Sequence, residues 1–293
     1  MKTDQPFHVP VLLEESIQSL DLQNGNIVVD GTFGGGGHSS AILAACPSIT
    51  LICVDLDEHA KDRFEASALV GKATFVQSNF KNADHILEAA GQDHVDKLLL
   101  DLGTSTFQLL QDDRGFSFNT DTPLQMTFAH AGSHTGITAW DIANEWEESS
   151  IADVIYAYGE DRASRKIARA IVDARLDGLI NTARQLADII LSVIPKSGRT
   201  HPATKTFQAF RIVVNDELAV IPEALNAWWE RLKPGGRISV ITFHSLEDRV
   251  VKQWMKARTD AQHITKKPLP PSRHEQLSNP RARSAKLRTI QKL

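Results

Sequence analysis

Over its first hundred residues the chain alternates short apolar runs with amphipathic stretches. Ile27-Val-Val-Asp30, Ile49 to Val54, Ala73 to Val76 and Val95 to Leu102 read as strands, because they are brief, continuous and rich in branched residues. Between them Ser39 to Ala45, Glu58 to Leu69 and Phe80 to Ala90 read as helices. Ahead of the first strand, Leu12, Leu13, Ile17 and Leu20 repeat at helical spacing behind Pro10, which suits a first helical position and predicts a helix covering the sheet edge. Strand and helix alternating at this pace predict an α/β fold with a parallel, doubly wound sheet. The pattern then changes. From Leu109 to about Thr200 no strand is evident, and Ser149–Tyr158, Arg162–Arg175 and Thr182–Ile194 read as amphipathic helices parted by Gly159 and Asp177-Gly178. The expected organisation is a helical domain, 109–200, inserted into a sheet domain made of 1–108 and 201–293. Pro202 to Val220 reads as one long helix with Phe207, Phe210, Ile212, Val214 and Leu218 on its buried side. After the turn Lys233-Pro-Gly-Gly-Arg237 come a strand, Ile238 to Phe243, and a helix, Leu246 to Arg258. A tail rich in Pro, Lys and Arg ends in a last strand at Lys286 to Ile290.

The 293 residues, 42% hydrophobic and 23% charged, are ordinary for a globular protein. No run approaches the ~18 apolar residues that span a bilayer, and the N-terminus is too acidic for a signal peptide. Cys46 and Cys53 lie in apolar surroundings without metal or redox spacing, and the 11 His show no ligand pattern. A cytoplasmic protein without a metal is expected. The net charge of −4 conceals an asymmetry: from Lys196 onward 19 Lys/Arg face 8 Asp/Glu, leaving the first two-thirds acidic. A basic third on an acidic body suits contact with phosphates, although solvated surface lysines give the same count.

The candidate chemistry begins at Asp30-Gly-Thr-Phe-Gly-Gly-Gly-Gly-His38, where a strand ends in a carboxylate and a glycine cluster leads into a helix. That is the strand–turn–helix of a nucleotide-type site, with Gly34 in the tight turn. Asp55 ends the second run 21 residues after Gly34, the place for a carboxylate on a ribose diol. Asp30 is unusual: its charge is unfavourable beside a pyrophosphate and favourable beside the sulfonium of S-adenosylmethionine. The reading therefore tilts from a nicotinamide dinucleotide toward S-adenosylmethionine. Asp30, Asp55, Phe80 and Asp101 all fall at or just past strand ends, where such sheets bind ligands.

Several longer blocks are more specific than a glycine turn. They include Leu100-Asp-Leu-Gly103, Arg114-Gly-Phe-Ser-Phe118, Tyr158-Gly-Glu-Asp-Arg162, His201-Pro-Ala-Thr-Lys-Thr-Phe-Gln208, Val214-Asn-Asp-Glu-Leu218, Phe243-His-Ser-Leu-Glu-Asp-Arg249 and Asn279-Pro-Arg-Ala-Arg-Ser284. With His8-Val-Pro-Val-Leu-Leu13 and the glycine turn, these run in order over essentially the whole chain and resemble the bacterial 16S rRNA (cytosine-N4)-methyltransferase family, often called MraW. The resemblance implies a class I (Rossmann-like) methyltransferase sheet with an inserted helical domain that recognises substrate. It implies S-adenosylmethionine as donor, and as acceptor a cytidine in the decoding region of 16S rRNA in the small ribosomal subunit. It places the cofactor at Gly36, Gly37, His38, Asp55, Phe80, Asp101 and Gln108. The chain departs from the family pattern at Thr104-Ser-Thr-Phe107, at Gln125-Met-Thr-Phe-Ala129, which lacks two carboxylates and an arginine, and at Thr242. The first two departures fall where a substrate base is expected to enter.

The implied chemistry is direct displacement by an exocyclic amine, a poor nucleophile helped mainly by positioning and by a hydrogen-bond acceptor. Asp101-Leu-Gly-Thr-Ser105 occupies the place of that acceptor, which is then a backbone carbonyl or Ser105, and Asp101 joins Ser105 among the candidate catalytic residues. His244 is a candidate to orient the base or take the released proton, its plain alternative being a structural histidine. Ser245 answered by Asp248 suits a helix cap. Lys205, Arg249, Lys252, Arg281 and Arg283 are candidate phosphate contacts, while Arg211 and Asn215, one helical turn apart, face either RNA or core. The target base is expected unpaired or flipped from its stack, and the protein a monomer or homodimer. A nicotinamide oxidoreductase on the same sheet and a non-catalytic assembly factor that keeps the cofactor pocket are the alternatives.

Overall fold

The computed structural model describes residues 10–103, 114–118, 120–128, 136–196, 198 and 201–293. In chain order come α1 (Leu13–Leu20), β1 (Ile27–Asp30), α2 (Gly37–Ala45), β2 (Thr50–Asp55), α3 (Glu58–Glu65), β3 (Ala73–Gln77), α4 (Ala83–Ala89) and β4 (Val95–Asp101). Five helices follow: α5 (Ala139–Glu145), α6 (Glu148–Gly159), α7 (Ser164–Asp177), α8 (Ala183–Val193) and α9 (Thr204–Asn215). The chain then forms α10 (Val220–Arg231), β5 (Leu232–Thr242), α11 (Ser245–Lys256), β6 (Ala261–His263), α12 (Arg273–Ser278), a 3-10 turn (Pro280–Ser284) and β7 (Lys286–Lys292). It packs as two compact units, one of residues 1–105 and 218–293, the other of residues 106–217. Among the described residues no helix is long and apolar enough to cross a membrane.

The first unit holds a seven-stranded sheet in the order β3-β2-β1-β4-β5-β7-β6. Strands β1 to β5 pair in parallel, and β7 runs antiparallel to both β5 and β6. All four residues of β1 are buried, as a central strand covered on both faces requires. Alternate side chains feed two cores. Val29, Leu98 and Leu100 pack with Trp228 and Val251 on one face, whereas Val28 and Leu99 pack with Phe33, Ile42 and Phe64 on the other. This is the Rossmann-like sheet implied by the resemblance. After β3 the chain crosses back to place β4 on the far side of β1, so the strand order reverses between β1 and β4. Outside the carboxyl ends of the strands, such a reversal is where open α/β sheets bind ligands.

Three sequence expectations are corrected here. Helix α1 lies on one face of the sheet against β4, β5 and β7, not along an edge, because Leu12 and Leu20 are fully buried in the core of that face. The stretch from Pro202 to Val220 is not one helix: Asp216 turns left-handed at φ 51°, ends α9, and a second helix starts after Ala219. The tail is more than a final strand, since β6 and α12 precede β7.

The second unit is helical, with one isolated bridge, Pro123 to Thr182, among its described residues. Ile151, Ile155, Ile167, Ile171, Leu186 and Ile190 share its core with Phe207 and Phe210 of α9. Those two aromatic anchors are why α9 packs with the helices, so that this unit reaches residue 217 where the sequence suggested 200. Capping boxes at Thr138/Asp141 and Thr182/Gln185 fix where α5 and α8 begin.

Candidate active site

The site is built at the carboxyl ends of β1, β2 and β4. Gly31 leaves β1 by donating to the Leu99 carbonyl at 2.9 Å, and a Cβ there would meet the Leu100 side chain at 2.5 Å. Gly34 and Gly36 then take positive φ, 54° and 76°. At Gly36 a Cβ would also lie 2.7 Å from the buried Phe33 ring, so the turn is closed to larger residues by packing as well as by backbone conformation. Phe33 is anchored edge-on against Phe64 and Phe75.

Asp55, ending β2, is gripped by two backbone amides. Gly34 N–H donates to Oδ2 at 2.7 Å and Asp57 N–H donates to Oδ1 at 2.9 Å. Burial pushes its pKa up to about 6, against the lowering pull of those two hydrogen bonds. Asp101, ending β4, donates its own N–H to Thr32 Oγ1 at 2.7 Å. Its Oδ1 is buried without a hydrogen-bond partner among the described residues, a state that costs free energy unless a donor arrives. Burial raises Asp101 to about 6 as well; His38 opposes the shift, Asp30 and Glu247 reinforce it, and Arg281 opposes it.

His38 connects the turn to the chain start. Its Nε2 lies 3.1 Å from the Val11 carbonyl, which can only accept, so Nε2 carries the proton. Nδ1 is left facing Asp101 Oδ2 at 3.9 Å. Phe80, beyond β3, is half-buried beside Gly31 and is held by Trp228, whose indole N–H donates to the Phe80 carbonyl at 2.7 Å. The arrangement offers a carboxylate gripped by amides, a half-buried aromatic ring, a glycine turn and a second carboxylate with one unused oxygen. Such a set suits a nucleoside that carries a positive centre.

Other predicted residues fall elsewhere. Asp30 is fully buried, accepting from Ser39 Oγ at 2.6 Å and from Thr32 N–H at 3.2 Å, so it shapes the turn and presents no surface to a ligand. Ser105 and Gln108 lie outside the described residues. His244 is the N-cap of α11, taking the place expected for Ser245. Its Nδ1 accepts from Glu247 N–H at 3.4 Å, and Glu247 Oε2 accepts from Phe243 N–H at 2.7 Å and His244 N–H at 3.3 Å. Nε2 lies 2.9 Å from Glu247 Oε1 without hydrogen-bond alignment. The imidazole is thus engaged at the start of α11, the structural role that was its plain alternative.

Among the expected RNA contacts, Arg249 and Lys252 are exposed on α11, and Arg283 is exposed while donating to the Gln276 carbonyl at 3.2 Å. Arg281 is half-buried, and its charge acts on Asp101. In the helical unit Lys205 is exposed and donates to the Glu160 carbonyl at 3.0 Å. Arg211 and Asn215 are structural there. Arg211 forms a two-point pair with Glu217 at 2.7 and 2.8 Å. Asn215 donates to the Met126 and Arg211 carbonyls and accepts from Phe128 N–H. Asn215 thereby holds the backbone of the departing Gln125–Phe128 segment by main-chain contacts that do not depend on its side chains. Sequence reasoning missed Thr32 and Arg63, since their partners are set by the fold rather than by spacing.

The profile of the MraW methylase family matches residues 5–293. A relative from Methylobacterium nodulans, named ribosomal RNA small subunit methyltransferase H, is 46% identical over 97% of this chain and 89% of its own length. Relatives of the same name from Deinococcus radiodurans and Brevibacillus brevis are 45% and 42% identical, covering 96% and 100% of this chain and 88% and 100% of their own. A match to one family over residues 5–293, with relatives above 40% identical over nearly the whole chain, shows that the chain belongs to the MraW methylase family.

Proposed function

We propose that the protein transfers a methyl group from S-adenosylmethionine to the exocyclic N4 of a cytidine in the decoding region of small-subunit ribosomal RNA. The methylase family and the names of the relatives support rRNA methylation; the cytidine N4 and its location rest on the sequence resemblance. The observation that carries the cofactor reading is the Asp101 carboxylate at the strand-order reversal, with one buried oxygen lacking a donor among the described residues. An ammonium or sulfonium beside it would restore the lost solvation.

The residues present fit that group. Asp55 would hold the ribose diol, Phe80 would flank the adenine, and Gly34, where a Cβ would meet nothing nearer than 3.9 Å, leaves the backbone room to approach. His38, tied to the Val11 carbonyl, places its ring beside Asp101. Bound there, S-adenosylmethionine supplies a methyl group on a sulfonium, electrophilic toward an amine. Asp101 holds negative charge at the end of β4, and Thr32 fixes its backbone. His244, engaged in its cap, fixes the start of α11. The helical unit and the exposed cations Arg249, Lys252 and Arg283 supply RNA contacts in this reading. Nucleosides from small-subunit RNA of cells lacking the protein are expected to lose N4-methylated cytidine, and to regain it on restoration of the gene; an unchanged content contradicts the proposal.

A further inference from the structure

Arg63 lies on α3 and is absent from every set of residues that the sequence singled out, yet it closes a ring of hydrogen bonds beneath the glycine turn. Its Nε donates to the Gly34 carbonyl at 2.8 Å, across 29 residues of chain, and its Nη2 donates to Asp57 Oδ2 at 2.8 Å. Asp57 N–H donates to Asp55 Oδ1, and Gly34 N–H donates to Asp55 Oδ2. Each member of the ring Asp55–Gly34–Arg63–Asp57 is thus tied to the next. Gly34 is held at both of its polar groups, the amide by Asp55 and the carbonyl by Arg63. A left-handed glycine is otherwise among the freest residues in a chain, and two anchors remove that freedom.

A plainer account explains only part of this. Arg63 sits in the last turn of α3, where a cation is favoured, and Asp57 caps the first turn of the same helix, accepting from His59 N–H at 3.1 Å. Neither role needs a contact with Gly34. The Arg63–Asp57 pair is largely buried, with side chains 19% and 8% exposed, so its hydrogen bonds are charge-assisted and weakly screened.

We propose that Arg63 is a positioning residue for the cofactor: through the Gly34 carbonyl and Asp57 it fixes the orientation in which Asp55 meets the ribose. The proposal rests on the reading of the site given above, and the experiment separates the two. S-adenosylhomocysteine is titrated calorimetrically into the unmodified protein, Arg63→Met and Arg63→Lys. Binding to Arg63→Met is expected to be about tenfold weaker or more, on the scale of a lost charge-assisted hydrogen bond, with Arg63→Lys in between. Turnover at saturating S-adenosylmethionine is expected to stay within about twofold, since Arg63 touches no reacting atom. The loss should shrink for an S-adenosylhomocysteine analogue lacking the ribose hydroxyls, which a general loss of folding would not produce. If Arg63→Met does not fold, Asp57→Asn, which keeps a capping side chain, reads the same ring and is expected to weaken binding severalfold. Unmodified protein that fails to bind S-adenosylhomocysteine refutes the reading of the site. Unmodified protein that binds, beside folded variants that bind equally well, refutes the role of Arg63.

Discussion

Asp55 and Asp101 share a predicament that makes pH a probe of the site. Burial raises both to about 6, so in the ligand-free protein each becomes neutral as pH falls through that value. The folded pKa lies above the ordinary 3.8, hence the folded state binds protons more readily than the unfolded one between about pH 4 and 6. Their contribution to stability is present in full below about pH 4 and is lost as pH rises through 6. Affinity for a cationic nucleoside runs the opposite way, because a neutral Asp101 gives up its attraction. Titrations of S-adenosylmethionine from pH 5 to 8 should show binding that weakens as pH falls through 6. In Asp101→Asn the affinity should be about tenfold lower, with a flatter pH profile. A flat profile in the unmodified protein would count against charge at these carboxylates as the basis of recognition. Asp30 marks the limit of reading charge from sequence: the same residue type at the end of β1 is fully buried, its oxygens taken by Ser39 and Thr32.

At the scale of elements, the parallel strands were legible because each must be apolar on both faces, and β1 to β4 fall where their runs predict. The candidate carboxylates at strand ends, Asp55 and Asp101, followed from the same logic. Breaks and partners were less legible. The division between α9 and α10 depends on Asp216 accepting a left-handed conformation, and nothing in an unbroken helical periodicity announces that. Strand β6 is three residues long and exists because β7 offers it an edge. The His244 cap is similar: Phe-His-Ser reads equally well as chemistry or as a helix start, and only the position of Glu247 decides. His244→Ala should therefore cost about 1 kcal/mol of stability, as lost caps do, measured by thermal unfolding. His244→Asn, which caps well, should keep most of both stability and methyl transfer. A His244→Asn protein of normal stability and no activity would return His244 to the reacting groups.

For the whole molecule, an acidic body and a basic final third map onto the two units unevenly. The exposed Arg249, Lys252 and Arg283 belong to the sheet unit, which also carries the strand-end carboxylates Asp55 and Asp101. Cations on the outside and carboxylates within suit a protein that draws a polyanion to its surface while keeping a cationic small molecule inside. Arg281 stands between the two roles, half-buried with its charge directed at Asp101, and the fold alone distinguishes it from its neighbour Arg283. The central claim is that the site at the ends of β1 and β4 selects a positively charged sulfur nucleoside over a dinucleotide. Calorimetric titration of the purified chain with S-adenosylmethionine and, in parallel, with a nicotinamide dinucleotide tests this most directly. One molecule of S-adenosylmethionine bound per chain, with no heat from the dinucleotide at the same concentrations, is the predicted result; binding of the dinucleotide alone would contradict it.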